Sequence, residues 1–91
     1  MSRKRVHVYI SGRVQGVYFR ATTRDRATER DVNGWVRNLD DGRVEAVFEG
    51  DPEAVEAMVE FCYEGSSMAN VSTVEVSEEE PEGIEGFEVR W

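Results

Sequence analysis

Four residues of this chain have the types and spacing to hold a small anion beside a water. Gln15, Gly16 and Arg20 fall in one stretch, GRVQGVYFR from Gly12 to Arg20, and Asn38 in another, GWVRNLDDG from Gly34 to Gly42. Glycines let successive backbone N–H groups converge without a Cβ in the way, and the start of a helix adds orphan N–H groups and the positive end of its dipole. Arg20 would bring a planar, permanently charged fork matched to phosphate oxygens. Asn38 can donate to and accept from one water but cannot act as a strong base, so its use would be positioning. Spacing alone favours a plainer reading of Asn38, as the residue that opens a hairpin turn.

The elements that must position these residues are legible around them. Residues 5–12 alternate Val6, Val8 and Ile10 against His7, Tyr9 and Ser11, the period of a half-buried strand. A loop to Phe19 follows, then a predicted helix over 20–32 with a weak apolar stripe (Phe19, Thr23, Ala27), stopped by Asn33-Gly34. WVRNL and RVEAVFE flank Asp40-Asp41-Gly42, a strong hairpin signal. A second helix starts at Asp51-Pro52-Glu53, sets Val55, Met58, Val59 and Cys62 on one face, and closes at Gly65. VSTVEVS reads as a strand, EEEPEG as a solvated acidic linker over Glu78 to Glu80, and IEGFEVRW as a last strand. The order is β-α-β-β-α-β with an extra C-terminal strand. That order predicts a ferredoxin-like two-layer α+β sandwich, with two helices on one face of a mostly antiparallel sheet. The chain reads as a single domain, residues 1–91.

Charge narrows the function classes. The net charge is −8, yet residues 1–45 carry +4 and residues 46–91 carry −12, so the Gly12–Arg20 stretch sits in the basic half. An acidic total with one lysine, Lys4, argues against general nucleic-acid binding and suits a surface kept hydrated in concentrated salt, hence a halophilic source. Arginine-rich base composition in the genome is the rival account of the missing lysines. The single Cys62 rules out an internal disulfide and any multi-cysteine metal site, and reads as a small core residue. No run is long enough to span a membrane and MSRKRVHV carries no signal-peptide apolar region, so the expected place is the cytoplasm. His7 reads as an isolated imidazole without a partner, and Arg37 as a side chain facing solvent. Arg13 reads equally as a contributor to the positive field of the loop or as solvated.

GRVQGVYFR and GWVRNLDDG together resemble the paired signatures of the acylphosphatase family, and the similarity continues through VEAVFEG to FEVRW. The resemblance implies a small metal-free hydrolase, with no cofactor, that cleaves the carboxyl-phosphate bond of a small acyl phosphate. It implies that Gln15, Gly16, Val17, Tyr18, Phe19 and Arg20 form the phosphate cradle, with Arg20 the phosphate-binding arginine and Asn38 the residue that orients water. Tyr18 stands where members vary, and Trp91 where tyrosine is common. A monomer with no nucleic-acid or membrane partner is expected.

The alternatives are weaker. An RNA-recognition domain of the same strand order needs a basic, aromatic third strand, and RVEAVFEG has two glutamates. A metal chaperone needs a Cys-x-x-Cys loop. The related N-terminal domain of hydrogenase-maturation carbamoyltransferases would continue into zinc fingers, which this sequence does not. A non-catalytic anion sensor on the same fold stays open at this point.

Overall fold

The computed structural model describes residues 3–90; Trp91, read above as closing the last strand, lies outside the described residues. The elements are β1 (Lys4–Arg13), α1 (Phe19–Glu29), β2 (Asn33–Asn38), β3 (Val44–Gly50), α2 (Pro52–Glu64), β4 (Asn70–Glu79) and β5 (Phe87–Arg90). They form one five-stranded sheet in the order β4-β1-β3-β2-β5, antiparallel except where β5 runs parallel to β2. This is the ferredoxin-like arrangement with the added strand on the β2 edge.

Alternation in β1 and β3 puts Val6, Val8, Ile10, Val44, Ala46 and Phe48 on one face, where they pack with Phe19 and Ala27 of α1 and Val55, Met58 and Cys62 of α2. Burial of the Cys62 thiol in this core pushes its pKa up to about 12, which leaves it inert. On α2 the fourth buried residue is Phe61 rather than Val59, which is only partly covered. Phe61 packs on Phe19 with ring centroids 5.7 Å apart and so closes the seam between the helices. Asp51 caps α2 as expected, its carboxylate accepting from the Glu53 N–H at 3.0 Å.

Helix α1 ends earlier than the expected 20–32. Asp31 adopts the left-handed conformation (φ 56°), and the N–H groups of Asp31 and Val32 turn back to the carbonyls of Thr28 and Ala27 at 3.3 and 2.8 Å. Buried Val32 completes this C-terminal cap. Asn33-Gly34 is thereby released to start β2, where glycine answers crowding: a Cβ on Gly34 would lie 1.8 Å from the Val47 carbonyl oxygen.

The other sheet face carries an ion-pair network that the sequence did not reveal. His7 is not isolated: Nε2 lies 2.5 Å from Glu45 and Nδ1 2.9 Å from Glu79. The Arg5 guanidinium, almost fully buried, donates to Glu79 at 2.9 Å and to Glu49 at 3.2 Å. Glu79 therefore belongs to β4 and to this network, not to a solvated linker, because the strand runs further than VSTVEVS. Arg37 donates to Glu45 at 2.6 Å and lies over the Trp35 ring, although nearly half its side chain is still exposed. Glu49, with no exposed side-chain surface, accepts from the N–H groups of Glu82 and Gly83 at 3.0 and 2.8 Å and pairs with Arg3 and Arg5.

Burial alone would push the Glu49 carboxyl up, but those two N–H groups and the two guanidiniums outweigh it and hold its pKa below the usual range. A carboxyl depressed on folding contributes fully above its unfolded value, near about 4.3, and loses that contribution as pH falls through the lower folded value. Thermal melts should therefore show Glu49→Gln well below the wild type at neutral pH. The gap should close as pH falls from about 4.5 towards 2; a gap that stays constant with pH would show that the Glu49 charge is not what the network needs.

Candidate active site

Strand β1 ends at Gly12 and Arg13, and the chain then reverses into α1 through the five residues 14–18. Val14, Val17 and Phe19 are buried, so the loop is pinned to the core from below. Between them Gly16 (φ 72°) and Tyr18 (φ 61°, ψ 22°) are left-handed. Left-handed residues inside a turn make neighbouring N–H groups point to one side, which is how backbone builds an anion-binding concavity. The buried Ser66 hydroxyl donates to the Val17 carbonyl at 2.6 Å and fixes the peptide between the two left-handed residues.

The helix end this loop creates carries no neutralising group of its own. No side chain caps α1, and its first turn holds no acidic residue. The first-turn N–H groups of a helix have no acceptor within the helix, and the dipole concentrates positive potential there. Arg20 stands in the same turn, its Nη1 within 3.4 Å of the Arg90 carbonyl.

Opposite lies Asn38. Val44 of β3 pairs with Ile10 of β1 on one side and Asn38 of β2 on the other, so the C-terminal ends of the two strands flanking β3 lie at the same end of the sheet. A cleft of about 430 Å³ opens there, lined by Gly16, Tyr18, Phe19, Arg20 and Asn38, with Val14, Ala21 and Val89 adding apolar surface. Asn38 Oδ1 is buried and accepts no hydrogen bond, the one such side-chain atom among the described residues. Buried polar atoms are nearly always satisfied, so an orphan acceptor in a cleft marks a place for a donor from outside the fold.

Of the expected cradle residues, Gly16, Tyr18, Phe19 and Arg20 line the cleft; Val17 and Gln15 do not. Val17 contributes backbone only, since its side chain is in the core. The Gln15 carboxamide turns away to the β2–β3 hairpin and donates to the carbonyls of Leu39 and Arg43 at 2.7 and 2.9 Å. Sequence reasoning missed Arg24, a second guanidinium on the cleft one helical turn after Arg20, which the four-residue spacing could have flagged.

A family model described as acylphosphatase matches residues 6–89. The chain belongs to the acylphosphatase family. Among its relatives, the acylphosphatase of Haloarcula marismortui is 71% identical over 91 residues, covering 100% of both chains. That of Natronomonas pharaonis is 66% identical over 88 residues, 97% of this chain and 96% of the other. Both sources are halophilic archaea, in keeping with the acidic composition. The solved structure of an acylphosphatase from Coxiella burnetii superposes with a TM-score of 0.92 at 40% identity, over 97% of this chain and 93% of that one. The acylphosphatase match thus runs along nearly the whole chain, and its span includes residues 15–20 and Asn38.

Gly16 tests the cradle. A Cβ there would meet no atom within 4 Å, so the obstacle to a side chain is the left-handed backbone and the loss of open space in the cleft. Gly16→Ala should lower stability by only about 1–2 kcal/mol. Affinity for inorganic phosphate, read by calorimetry or competitive inhibition, should fall at least about 10-fold, because the methyl group occupies space needed for close backbone approach. Unchanged phosphate binding would move the anion site elsewhere.

Proposed function

We propose that the N–H groups along Gln15–Arg20 and the Arg20 guanidinium hold the phosphoryl group of an acyl phosphate while Asn38 orients the attacking water. The chain is an acylphosphatase that hydrolyses the carboxyl-phosphate bond to a carboxylate and inorganic phosphate. The observation that carries the residue assignment is the unsatisfied Asn38 Oδ1 in the same cleft as the uncapped α1 N-terminus. A water donating to that oxygen would share the cleft with the phosphoryl group.

The chemistry asks little more of the protein. Water oxygen bonds to phosphorus, the bond from phosphorus to the acyl oxygen breaks, and the acyl group leaves as a carboxylate that needs no acid to expel it. The water's proton passes to a phosphate oxygen. Charge in the loose transition state spreads over the equatorial oxygens, where prearranged N–H groups and Arg20 stabilise it most. The same reading has the protein act without a metal or cofactor, as a monomer, in the cytoplasm, with no nucleic-acid or membrane partner. No helix among the described residues is long and apolar enough to cross a membrane.

Acetyl phosphate should be turned over in the presence of chelator, and a plain phosphomonoester hardly at all, because an alkoxide leaving group needs an acid. No turnover of any acyl phosphate would leave an anion sensor as the reading; equal rates on both substrate classes would reject the mechanism.

Two variants separate binding from water positioning. Arg20→Lys keeps the charge but loses the two-pronged contact, and kcat/KM should fall by at least about 100-fold. Asn38→Ala should lower kcat by about 100-fold while inorganic phosphate still inhibits as in the wild type. A parallel loss of phosphate affinity in Asn38→Ala would place that residue in the anion site.

A further inference from the structure

The Gln15 side chain lies outside both the cleft and the core, and its contacts have a specific address. Its Nε2 donates one hydrogen to the Leu39 carbonyl at 2.7 Å and the other to the Arg43 carbonyl at 2.9 Å. With a carbonyl on each branch, only the amide nitrogen can face them, so the orientation of the group follows from chemistry. Those carbonyls close the β2–β3 hairpin: the Arg43 carbonyl also accepts from the Leu39 N–H at 2.8 Å, and the Leu39 carbonyl from the Gly42 N–H at 3.2 Å. Leu39 follows Asn38 directly. The loop that carries the cradle and the strand end that carries Asn38 are therefore joined by one side chain, 24 residues away in sequence from the nearer carbonyl.

We propose that Gln15 is a positioning residue that sets the distance and angle between the phosphate cradle and Asn38, acting on the attack of water rather than on phosphate binding. The proposal rests on the functional reading above. The cradle keeps its own supports without Gln15, since Val14, Val17 and Phe19 anchor it in the core and Ser66 holds the Val17 carbonyl. The hairpin keeps its β3 ladder and its own turn bonds. What Gln15 supplies is a direct polar link from the cradle loop to the hairpin. In-line attack is sensitive to small displacements, with about 1 Å costing about 100-fold.

Gln15→Leu removes both donors at similar volume, and Gln15→Glu keeps length and shape but turns a carboxylate on two carbonyls. With acetyl phosphate as substrate, Gln15→Leu should lower kcat by about 10-fold to 100-fold and leave the inhibition constant of inorganic phosphate within about 3-fold of the wild type. The double variant with Asn38→Ala is decisive. If Gln15 acts by placing Asn38, Gln15→Leu should cost less than about 3-fold once Asn38 is gone, a strong departure from additivity. Gln15→Glu, which guards against a fold too weak to measure in Gln15→Leu, should regain kcat relative to the wild type as pH falls and the carboxyl protonates, because its O–H can replace one of the two lost donors. An equal loss in both Asn38 backgrounds would reduce Gln15 to a structural tie, and a phosphate inhibition constant that rises with the fall in kcat would return it to the cradle; either overturns the proposal. Wild-type turnover of acetyl phosphate in the same assay is the control: its failure would sink the functional reading, whereas the cycle judges Gln15 alone.

Discussion

The position of β3 between β1 and β2 is the constraint on which the site depends. Both neighbours run antiparallel to β3 and hence parallel to each other, so the chain must leave the sheet at the same end from both of them. One exit becomes the turn into α1 and the other the turn of the hairpin. Pairing of Val44 with Ile10 and with Asn38 fixes the offset between the exits, because a shift of one residue would turn every side chain to the opposite face. Burial on both faces of β3 makes such a shift prohibitive: Val44, Ala46 and Phe48 face the helices while Glu45, Val47 and Glu49 are covered on the other side. A stretch of sequence with no chemistry in it thus sets the geometry of two stretches that have it.

The two faces of this sheet are held by different physics. The helix face is a hydrophobic core of ordinary kind, made of valines with a few large residues. The other face is organised by charge, with Arg5, His7 and Arg37 set among Glu45, Glu49 and Glu79. Arginine suits that role because it can serve two carboxylates at once, as Arg5 does. The network also ties together strands distant in sequence, joining β1 to β4 and β3 and the 82–83 segment to Glu49. For a protein rich in acidic residues, pairing the buried ones leaves only the exposed carboxylates to repel one another.

Local patterns carried most of the fold in the sequence. Strand alternation, the Asp-Gly hairpin turn and the Asp51-Pro52 helix start each act over a few residues, and each was legible. The end of α1 was not, because Asp31 took the left-handed role that the sequence pattern assigns to Asn33-Gly34, and glycine at 34 answered instead to Val47, a neighbour brought close only by the sheet. The partners of His7 and the extension of β4 to Glu79 were hidden for the same reason: pairing across strands is invisible in a linear pattern. At the site, the motif stretches named the cleft residues Gly16, Tyr18, Phe19, Arg20 and Asn38, yet gave no sign that the Gln15 side chain points elsewhere or that Arg24 shares the cleft.

The contact between Arg20 and the Arg90 carbonyl has a consequence in time. Ribosomes deliver the chain from its N-terminus, and the loop, α1 and the β2–β3 hairpin emerge well before β5. Until β5 is added beside β2, the cleft lacks Val89 and Arg20 lacks its Arg90 partner. The loop waits for Ser66 and the core face of α2, and the lining around it closes only when residues near position 90 have left the exit tunnel. Competence is therefore among the last properties this polypeptide acquires during its own synthesis.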